Sequence, residues 1–236
     1  YSAKIPVICI GNITVGGAGK TPTAIAIAKL CIDLGHNVVF VSRGYGGSTT
    51  GPALVKPSDS AKHVGDEALL LSAVCPTIIG KSRKQAIKLA EDSGPSLIIM
   101  DDGLQNLSVK KDLSLLVLDG HNALGNGRML PAGPLREPTS SALAKINATI
   151  TIDPQHSLPQ AFSSLPSYNA FIVPKEIIQR KNDSWVAFAG IGRPTKFFTT
   201  LKKMGCNLKD TVSFPDHYAY KQADEDTLVA LAEKHS

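Results

Sequence analysis

Short apolar runs alternate with longer stretches along the first two thirds of the chain, and in the longer stretches apolar residues recur at helical spacing. The short runs predict buried strands, and the longer stretches predict helices. The predicted strands cover residues 7–10, 38–41, 77–79, 97–100, 115–118 and 149–152, and the predicted helices cover 23–34, 67–73 and 84–92. This alternation favours a parallel sheet flanked by helices.

The last third of the chain has a different pattern. Residues 153–166 are rich in proline and serine, which predicts a hinge into a second part that begins near Phe171. That part has a strand pattern at 185–189, a helix pattern around 197–204 and a terminal helix pattern at 223–234. We therefore expect an α/β protein with a core of residues 1–153. Residues 154–236 are expected to form a smaller α/β domain, truncated in this sequence, that contributes to a cleft with the core.

The composition favours a soluble globular protein. With 236 residues, 43% of them hydrophobic and 19% charged, the chain has the usual balance of a soluble α/β protein and not that of a disordered or fibrous one. The net charge of +5 is ordinary for proteins that handle phosphate, and we expect no nucleic acid partner. No apolar run reaches the roughly 18 residues that span a bilayer. We expect further sequence beyond both ends of this chain, and any membrane anchor would lie there.

The segment after the first predicted strand carries the strongest motif. Gly11-Asn12-Ile13 leads into Thr14-Val15-Gly16-Gly17-Ala18-Gly19-Lys20-Thr21, and an apolar helix pattern follows. Strand, glycine-rich loop and helix are the context of a Walker A motif, although Thr14 stands where that motif has its first glycine. Backbone N–H groups of such a loop surround phosphate oxygens, the lysine reaches the β and γ phosphates, and the hydroxyl of Thr21 can ligate Mg²⁺. The sequence therefore predicts a P-loop NTPase-like core in which residues 14–21 bind a nucleoside triphosphate.

The sequence disfavours two classes of P-loop protein. Partitioning ATPases carry a lysine directly before the paired glycines, where this chain has Val15. GTPases carry an Asn-Lys-x-Asp sequence that recognises guanine, and the chain has none. Kinases and other phosphoryl-transfer enzymes remain.

Acidic residues stand at two places where they can serve such a site. The apolar strand pattern 97–100 ends in Asp101 and Asp102, which is the Walker B arrangement that positions Mg²⁺ in P-loop enzymes. Asp66 and Glu67 open another predicted helix. Their charge either stabilises the positive end of that helix or serves the site, and the sequence pattern favours neither role.

Two glycine- and proline-rich loops add candidate substrate contacts. Arg43 and Tyr45 lie in the loop 42–47, which follows the second strand and so reaches the same edge of the sheet as the P-loop. The glycines there suit an ordinary turn, but an arginine and a tyrosine could also hold an anionic sugar. Arg136 and Glu137 lie between prolines in a long loop, and loops of that length in compact domains usually have a function.

Taken together, these motifs resemble those of the tetraacyldisaccharide 4'-kinases, the lipid A 4'-kinases of Gram-negative bacteria. The segments that carry the resemblance are 11–22, 42–47, 64–67, 101–105, 130–138, 187–194 and 214–217. The resemblance implies ATP as phosphoryl donor with Mg²⁺, and a reaction at the 4'-hydroxyl of an acylated glucosamine disaccharide 1-phosphate. The implied product is lipid IVA.

The resemblance also implies roles for individual residues. It makes Asp66 the general base with His217 as its partner, and Lys20 a catalytic contact to the phosphates. The metal region would be Glu67, Asp101 and Asp102, which add to Thr21 of the Walker A motif. The residues that line the site would be Tyr45, Arg83, Gln105, Arg136 and Glu137, which add to Arg43 of the loop 42–47. The chain departs from the family pattern at Leu104 and Asn106, where phenylalanine and histidine are common.

The resemblance also implies a location, and without it two rival functions stay open. A kinase of this family would work at the cytoplasmic face of the bacterial inner membrane, either peripherally or anchored by an N-terminal segment outside this sequence. One rival is a P-loop ATPase switch whose second part binds a protein. Another is a cytosolic small-molecule kinase of the same fold. The switch would hydrolyse ATP alone, whereas the lipid kinase needs its disaccharide for turnover.

Overall fold

The computed structural model describes residues 1–174, 183–216 and 218–235 of the chain. Its strands are β1 Val7–Gly11, β2 Val38–Ser42, β3 Ala53–Leu54, β4 Thr77–Ile79, β5 Leu97–Asp101, β6 Leu113–Asp119, β7 Ala148–Ile152, β8 Ser167–Ala170, β9 Ser184–Ala189 and β10 Asn207–Ser213. Its α-helices are α1 Lys20–Asp33, α2 Ala61–Val64, α3 Asp66–Ser72, α4 Arg83–Asp92, α5 Thr139–Leu143, α6 Pro194–Lys203 and α7 Gln222–Lys234. A short 3₁₀ helix covers Gln160–Phe162. The strands and helices predicted from hydrophobic patterns are all present, with ends that differ by a few residues.

Eight of these strands form one sheet in the order β3-β4-β2-β5-β1-β6-β7-β8. All neighbours are parallel except β3, which runs antiparallel to β4. The central strands are buried on both faces, which explains why they are continuous apolar runs in the sequence. β1 lies between β5 and β6, so the loop that follows it is at the middle of the sheet's carboxyl edge.

Side chains alternate between two hydrophobic layers, one on each face of the sheet. Ile10 and Ile99 point into the layer that holds Ala24 of α1 and Leu71 of α3. The neighbouring positions point into the opposite layer, which contains Ile87 of α4 together with residues of α5. Helices on both faces fix the sheet between them, and the loops at its carboxyl edge are thereby held in a constant arrangement.

The chain divides into two compact units, which we call the N-terminal unit, Tyr1–Phe171, and the C-terminal unit, Ile172–Ser236. This division agrees with a second part that begins near Phe171 but differs from the expected domain limit after residue 153. The physical reason is β8, which pairs with β7 and so extends the main sheet beyond the proline- and serine-rich segment. The 3₁₀ helix also belongs to the N-terminal unit, since Phe162 is fully buried in its core.

The C-terminal unit has a small core of its own. β9 and β10 pair in parallel, and α6 connects them and packs Phe198 against Ala187 and Ala189. The other face of β9 forms, with α7, an apolar cavity of about 610 Å³. The residues that line it include Trp185, Phe188 and Val229.

Candidate active site

The P-loop is shaped by two glycines with positive φ angles. Gly16 has φ 94° and Gly19 has φ 87°, conformations that residues with a Cβ rarely adopt. Gly19 caps α1. The Thr23 N–H donates the first hydrogen bond of the helix to the Gly19 carbonyl. Lys20 and Thr21 therefore occupy the first turn of α1, where the positive end of the helix dipole is strongest.

The hydroxyl of Thr21 meets two carboxylates from other parts of the chain. It donates to Oδ2 of Asp101, 3.2 Å away, and lies 3.4 Å from Oε1 of Glu67. β5 delivers Asp101 to this point, and α3 delivers Glu67 from its first turn. We call Thr21, Glu67 and Asp101 the Thr21 cluster. It joins the predicted Walker A and Walker B residues in one place.

The Thr21 cluster holds more negative charge than its surroundings neutralise. Asp101 is 1% exposed, and burial is the main cause that raises its pKa from 3.8 to about 7. The nearby carboxylates of Glu67 and Asp102 raise this pKa further, and Lys20 and the Thr21 hydroxyl only partly oppose them. Oδ1 of Asp101 is buried and has no hydrogen-bond partner among the described residues. A cation beside these oxygens would relieve the excess charge.

Asp102, the second acid of the Walker B pair, contacts Arg136 and Lys20 instead of Thr21. Asp102 has φ 49°, which turns its side chain away from that of Asp101. Nη1 of Arg136 donates to both of its carboxylate oxygens, at 3.2 and 3.3 Å, and Nζ of Lys20 lies 3.9 Å from Oδ1. Asp102 thus brings two cations together beside the P-loop.

Arg136 belongs to a segment that runs along the start of the P-loop. Its N–H donates to the Ile13 carbonyl at 2.7 Å, and the Val15 N–H donates to the Pro134 carbonyl at 2.9 Å. Leu135 forms an antiparallel bridge with Thr14. We call residues 134–137 the strap, since its backbone holds the loop 121–138 against the P-loop.

The strap ends at Glu137, which is surrounded by donors. Gln105 donates to its Oε1 at 3.0 Å, Ser141 donates to its Oε2 at 2.9 Å, and Lys145 forms a short ion pair with Oε2. Burial alone would raise the pKa of Glu137, but these three hydrogen bonds outweigh burial and hold the pKa below its ordinary value. We call Gln105, Glu137, Ser141 and Lys145 the Glu137 cluster. Its carboxylate is neutralised within the folded chain.

Asp66 opens α3 at the rim of the site. Its Oδ1 accepts a hydrogen bond from the Glu67 N–H at 2.9 Å, and its side chain is exposed. The preceding Gly65 has φ 89°, and a Cβ there would lie 2.3 Å from the Tyr45 carbonyl oxygen. The loop 42–47 therefore packs directly against the start of α3, and it brings Tyr45, which is 65% exposed, to the same rim.

Arg83 is more deeply buried than a residue that only contacts substrate would be. It is 4% exposed, and its Nη1 donates to the Gly80 carbonyl at 2.8 Å. Burial lowers its pKa, while the acidic pair Asp101 and Asp102 acts in the opposite direction and Arg43 adds to the lowering. Arg83 thus brings positive charge towards the site from beneath the loop that begins α4.

A profile of the tetraacyldisaccharide-1-P 4'-kinase family matches residues 1–236. The chain belongs to this family. The tetraacyldisaccharide 4'-kinase of Parvibaculum lavamentivorans is 43% identical to it over 236 residues, which are 98% of this chain and 69% of that protein. The relative of the same name from Paramagnetospirillum magneticum is 46% identical over 242 residues, covering 99% of this chain and 73% of that protein.

A solved structure of the family has the same fold. The crystal structure of LpxK from Aquifex aeolicus in complex with ATP matches this chain with a TM-score of 0.78 at 29% sequence identity. The match covers 94% of this chain and 75% of that one. The resemblance seen in the sequence motifs and the P-loop NTPase-like α/β fold are both confirmed.

Several residues expected at the site of a tetraacyldisaccharide 4'-kinase lie together in this structure. Direct contacts join Thr21 to Glu67 and Asp101. Asp102 contacts Lys20 and Arg136, and Gln105 contacts Glu137. His217 lies outside the described residues, so its predicted pairing with Asp66 stays a prediction. No described helix combines the length and the apolar character that crossing a membrane requires.

The oxygen atoms of the Thr21 cluster fit a magnesium ion that shares its ligands with a nucleotide. Mg²⁺ is commonly held by one or two carboxylates, a hydroxyl and phosphate oxygens. Within the described ranges, no three His, Cys, Asp or Glu side chains are arranged to bind a metal alone. Two carboxylates and the Thr21 hydroxyl therefore suit a metal that arrives with its nucleotide.

Leu104 and Asn106, where the sequence was expected to depart from the family pattern, each have a structural role. A Cβ on Gly11 would lie 2.6 Å from the Cβ of Leu104, so the segment after β5 packs tightly on the end of β1. Asn106 accepts hydrogen bonds from the N–H and the hydroxyl of Ser108, which closes a turn. Leu104 serves packing, and Asn106 shapes the loop that carries Gln105.

Sequence reasoning missed three residues of this region. Asn12 is fully buried, and its carbonyl accepts a 2.8 Å hydrogen bond from Gln105. Ser141 and Lys145 complete the Glu137 cluster. They follow Glu137 by four and eight positions, a helical spacing that could have identified them.

Proposed function

We propose that this chain transfers the terminal phosphate of ATP to the 4'-hydroxyl of tetraacyldisaccharide 1-phosphate and so forms lipid IVA. The contact of the Thr21 hydroxyl with Asp101 carries the proposal, because it joins the P-loop to a buried, incompletely neutralised carboxylate. P-loop phosphoryl transfer needs this junction of phosphate loop and Walker B acid. Membership of the kinase family makes the lipid kinase the better explanation than either a switch ATPase or a small-molecule kinase.

The proposed binding of ATP follows from the loop geometry. Backbone N–H groups of the P-loop surround the phosphates, apart from that of Val15, which is bonded to the Pro134 carbonyl, and Lys20 faces the β and γ groups. Thr21, Asp101 and Glu67 would hold Mg²⁺, with Asp102 nearby. When bound, the ion would supply positive charge beside the oxygens of the transferring phosphate.

Lys20 and Arg136 form a second group of charges on the same side of the loop. Both contact Asp102. Phosphate oxygens offer these cations stronger, charge-assisted hydrogen bonds than a carboxylate that is one-third exposed. We infer that Asp102 preorganises Lys20 and Arg136, so that little rearrangement is needed when charge develops in the transition state.

A sugar hydroxyl is a weak nucleophile, so its proton needs an acceptor. Asp66 is our candidate, since it is exposed at the rim of the site and adjoins the metal-region residue Glu67. His217 is proposed to orient Asp66 or to receive its proton. If the two act as a unit, D66N and H217A each lower kcat, and the double variant is little worse than the more damaging single change. Multiplying losses at saturating substrates would show that Asp66 works without His217.

The proposed acceptor contacts lie on the surrounding loops. Arg43 and Tyr45 come from the loop beside Asp66, while Arg83 and Gln105 support the site from beneath. The acylated substrate places the enzyme at a membrane surface, and we propose the cytoplasmic face of the bacterial inner membrane. Sedimentation of the protein with lipid vesicles tests this location.

An acceptor-dependence assay tests the proposal. The protein is incubated with γ-labelled ATP and Mg²⁺, with and without tetraacyldisaccharide 1-phosphate in detergent micelles. We expect label on the 4'-position of the lipid and little release of phosphate without it. Equal ATP hydrolysis with and without the lipid, and no labelled lipid, would support a switch ATPase instead.

A further inference from the structure

The Glu137 cluster connects α5 to the strap through a partly buried ion pair. The side chain of Glu137 is 10% exposed, and that of Lys145 is 25% exposed. Lys145 follows the end of α5, while Glu137 precedes the helix, so the pair closes a short loop of chain around it. Ser141, from within α5, donates to the same carboxylate oxygen.

The strap transmits the position of Glu137 to the active site. Arg136 is the adjacent residue, its backbone N–H is bonded to the Ile13 carbonyl, and its guanidinium holds Asp102. Gln105 makes a second link, because one amide nitrogen donates both to Glu137 and to the Asn12 carbonyl at the base of the P-loop. A displacement of the Glu137 carboxylate would therefore move Arg136 and the start of the P-loop together.

Lys145 supplies the positive charge that keeps this carboxylate buried. Neutral donors stabilise an ionised carboxylate less than a contacting cation does, and an incompletely neutralised buried carboxylate moves towards water. Lys111 also lies within electrostatic range of Glu137, but its ammonium donates to the Asn106 carbonyl. Loss of Lys145 would leave Glu137 with hydrogen bonds from Gln105 and Ser141 alone among the described contacts.

We propose that Lys145 is a positioning residue for phosphoryl transfer, which acts through Glu137 to hold the strap and thereby Arg136 against Asp102 and the P-loop. This inference rests on the proposed kinase function. It assigns Lys145 no contact with either substrate. Its effect is on how accurately Arg136 is placed.

The first test compares substitutions that remove or keep the charge. K145M should lower kcat roughly tenfold, the scale expected when a catalytic group is slightly misplaced, with the KM for ATP changed by less than about threefold. K145R should recover most of the lost kcat because it keeps the cation. K29M is the matched control, since Lys29 is exposed on α1. A K145M enzyme with the kcat of K29M would overturn the proposal.

A second test separates positioning from a general loss of folded protein. If Lys145 acts through Arg136, then K145M should cause almost no further loss of kcat in an R136A background. A structural role would lower the active fraction equally in both backgrounds, and equal losses would contradict the proposal. Circular dichroism and active-site titration fix the folded fraction of every variant.

Two further measurements cover a variant that does not fold and a parent protein that is inactive. Should K145M fail to fold, S141A is the alternative, since it removes a neutral donor from the same carboxylate oxygen. S141A should lower kcat about twofold to threefold when Arg136 is present. In an R136A background it should cause almost no further loss. An unchanged kcat for S141A together with a misfolded K145M would contradict the positioning role. A parent protein that does not phosphorylate the disaccharide would overturn the proposed function itself, a result distinct from an active parent whose variants all match it.

Discussion

The Thr21 cluster and the Glu137 cluster lie near the same edge of one sheet and both contain a buried carboxylate, yet their electrostatics are opposite. In the Thr21 cluster, burial and neighbouring acids raise the pKa of Asp101 to about 7. In the Glu137 cluster, Lys145 and two neutral donors outweigh burial and lower the pKa of Glu137. One carboxylate is left in need of a cation, and the other has one.

This difference in charge balance indicates that one cluster binds a ligand and that the other stabilises the fold. A buried acid with excess negative charge costs stability in the free protein, and that cost is recovered when a cation or a cation-bound ligand arrives. A buried acid that is already paired stabilises the free protein and gains nothing from a ligand. We therefore propose that the Thr21 cluster binds metal and phosphate and that the Glu137 cluster supports the strap.

The largest effect should come from the cation between the two regions. Lys20→Ala removes the ammonium that contacts Asp102 and that we propose to face the phosphates. Loss of such a preorganised electrostatic group lowers turnover by roughly 10²-fold or more. We expect kcat to fall by at least that factor while the protein remains folded, as measured by labelled-phosphate transfer and circular dichroism. A folded variant with near-normal kcat would remove the P-loop from the mechanism.

A smaller effect is expected for the metal dependence. Thr21→Ala removes one oxygen from the Thr21 cluster, so the Mg²⁺ concentration that gives half-maximal activity should rise about tenfold. Ser141→Ala is the matched loss of a hydroxyl from the Glu137 cluster and should leave the Mg²⁺ titration unchanged. Identical titration curves for both variants and the parent would show that the metal lies elsewhere.

The smallest effect should appear in the pH dependence of stability in EDTA without nucleotide. Asp101 has a raised pKa, so the folded protein binds more protons than the unfolded chain between pH 3.8 and about 7. Its contribution is therefore favourable below that range and is lost as pH rises to about 7. Glu137 behaves oppositely, since its lowered pKa gives stability that is present above its ordinary value of 4.5 and is lost as pH falls.

Urea unfolding at several pH values measures these contributions. The free energy of unfolding of D101N minus that of the parent should increase from pH 4.5 to 7 and then level off. The same difference for E137Q should be more negative at pH 7 than at pH 4. A flat profile for D101N would mean that Asp101 is ionised as easily in the folded protein as in the unfolded chain.

The sequence predicts the Thr21 cluster better than the Glu137 cluster for a physical reason. Asp101 ends a continuous apolar strand, and the ends of neighbouring parallel strands meet at one edge, so its place beside the P-loop follows from the pattern. Gln105 and Glu137 are 32 positions apart and lie in irregular loops. Their contact depends on tertiary packing that no local pattern records.

The same contrast holds for the strands. The buried strands β1, β2 and β5 are apolar up to their last residue, and their predicted limits differ from the observed ones by a residue or two. β8 has the sequence Ser-Tyr-Asn-Ala with three exposed residues, so it lacks both the apolar run and the alternation that identify strands. It forms at the edge of the sheet through backbone hydrogen bonds to β7, which depend little on side-chain pattern.

The most direct test measures kinase turnover and unfolding free energy for D101N and E137Q, with the parent as reference, at pH 8. D101N should lose at least roughly 10²-fold in kcat, as expected for a lost group of the metal region, yet be as stable as the parent or more so in EDTA. E137Q should lose about 2 kcal/mol of stability, because Lys145 is left without its anionic partner, and only about tenfold in kcat. The opposite order, with D101N unstable but active and E137Q stable but inactive, would contradict the assignment of the two clusters.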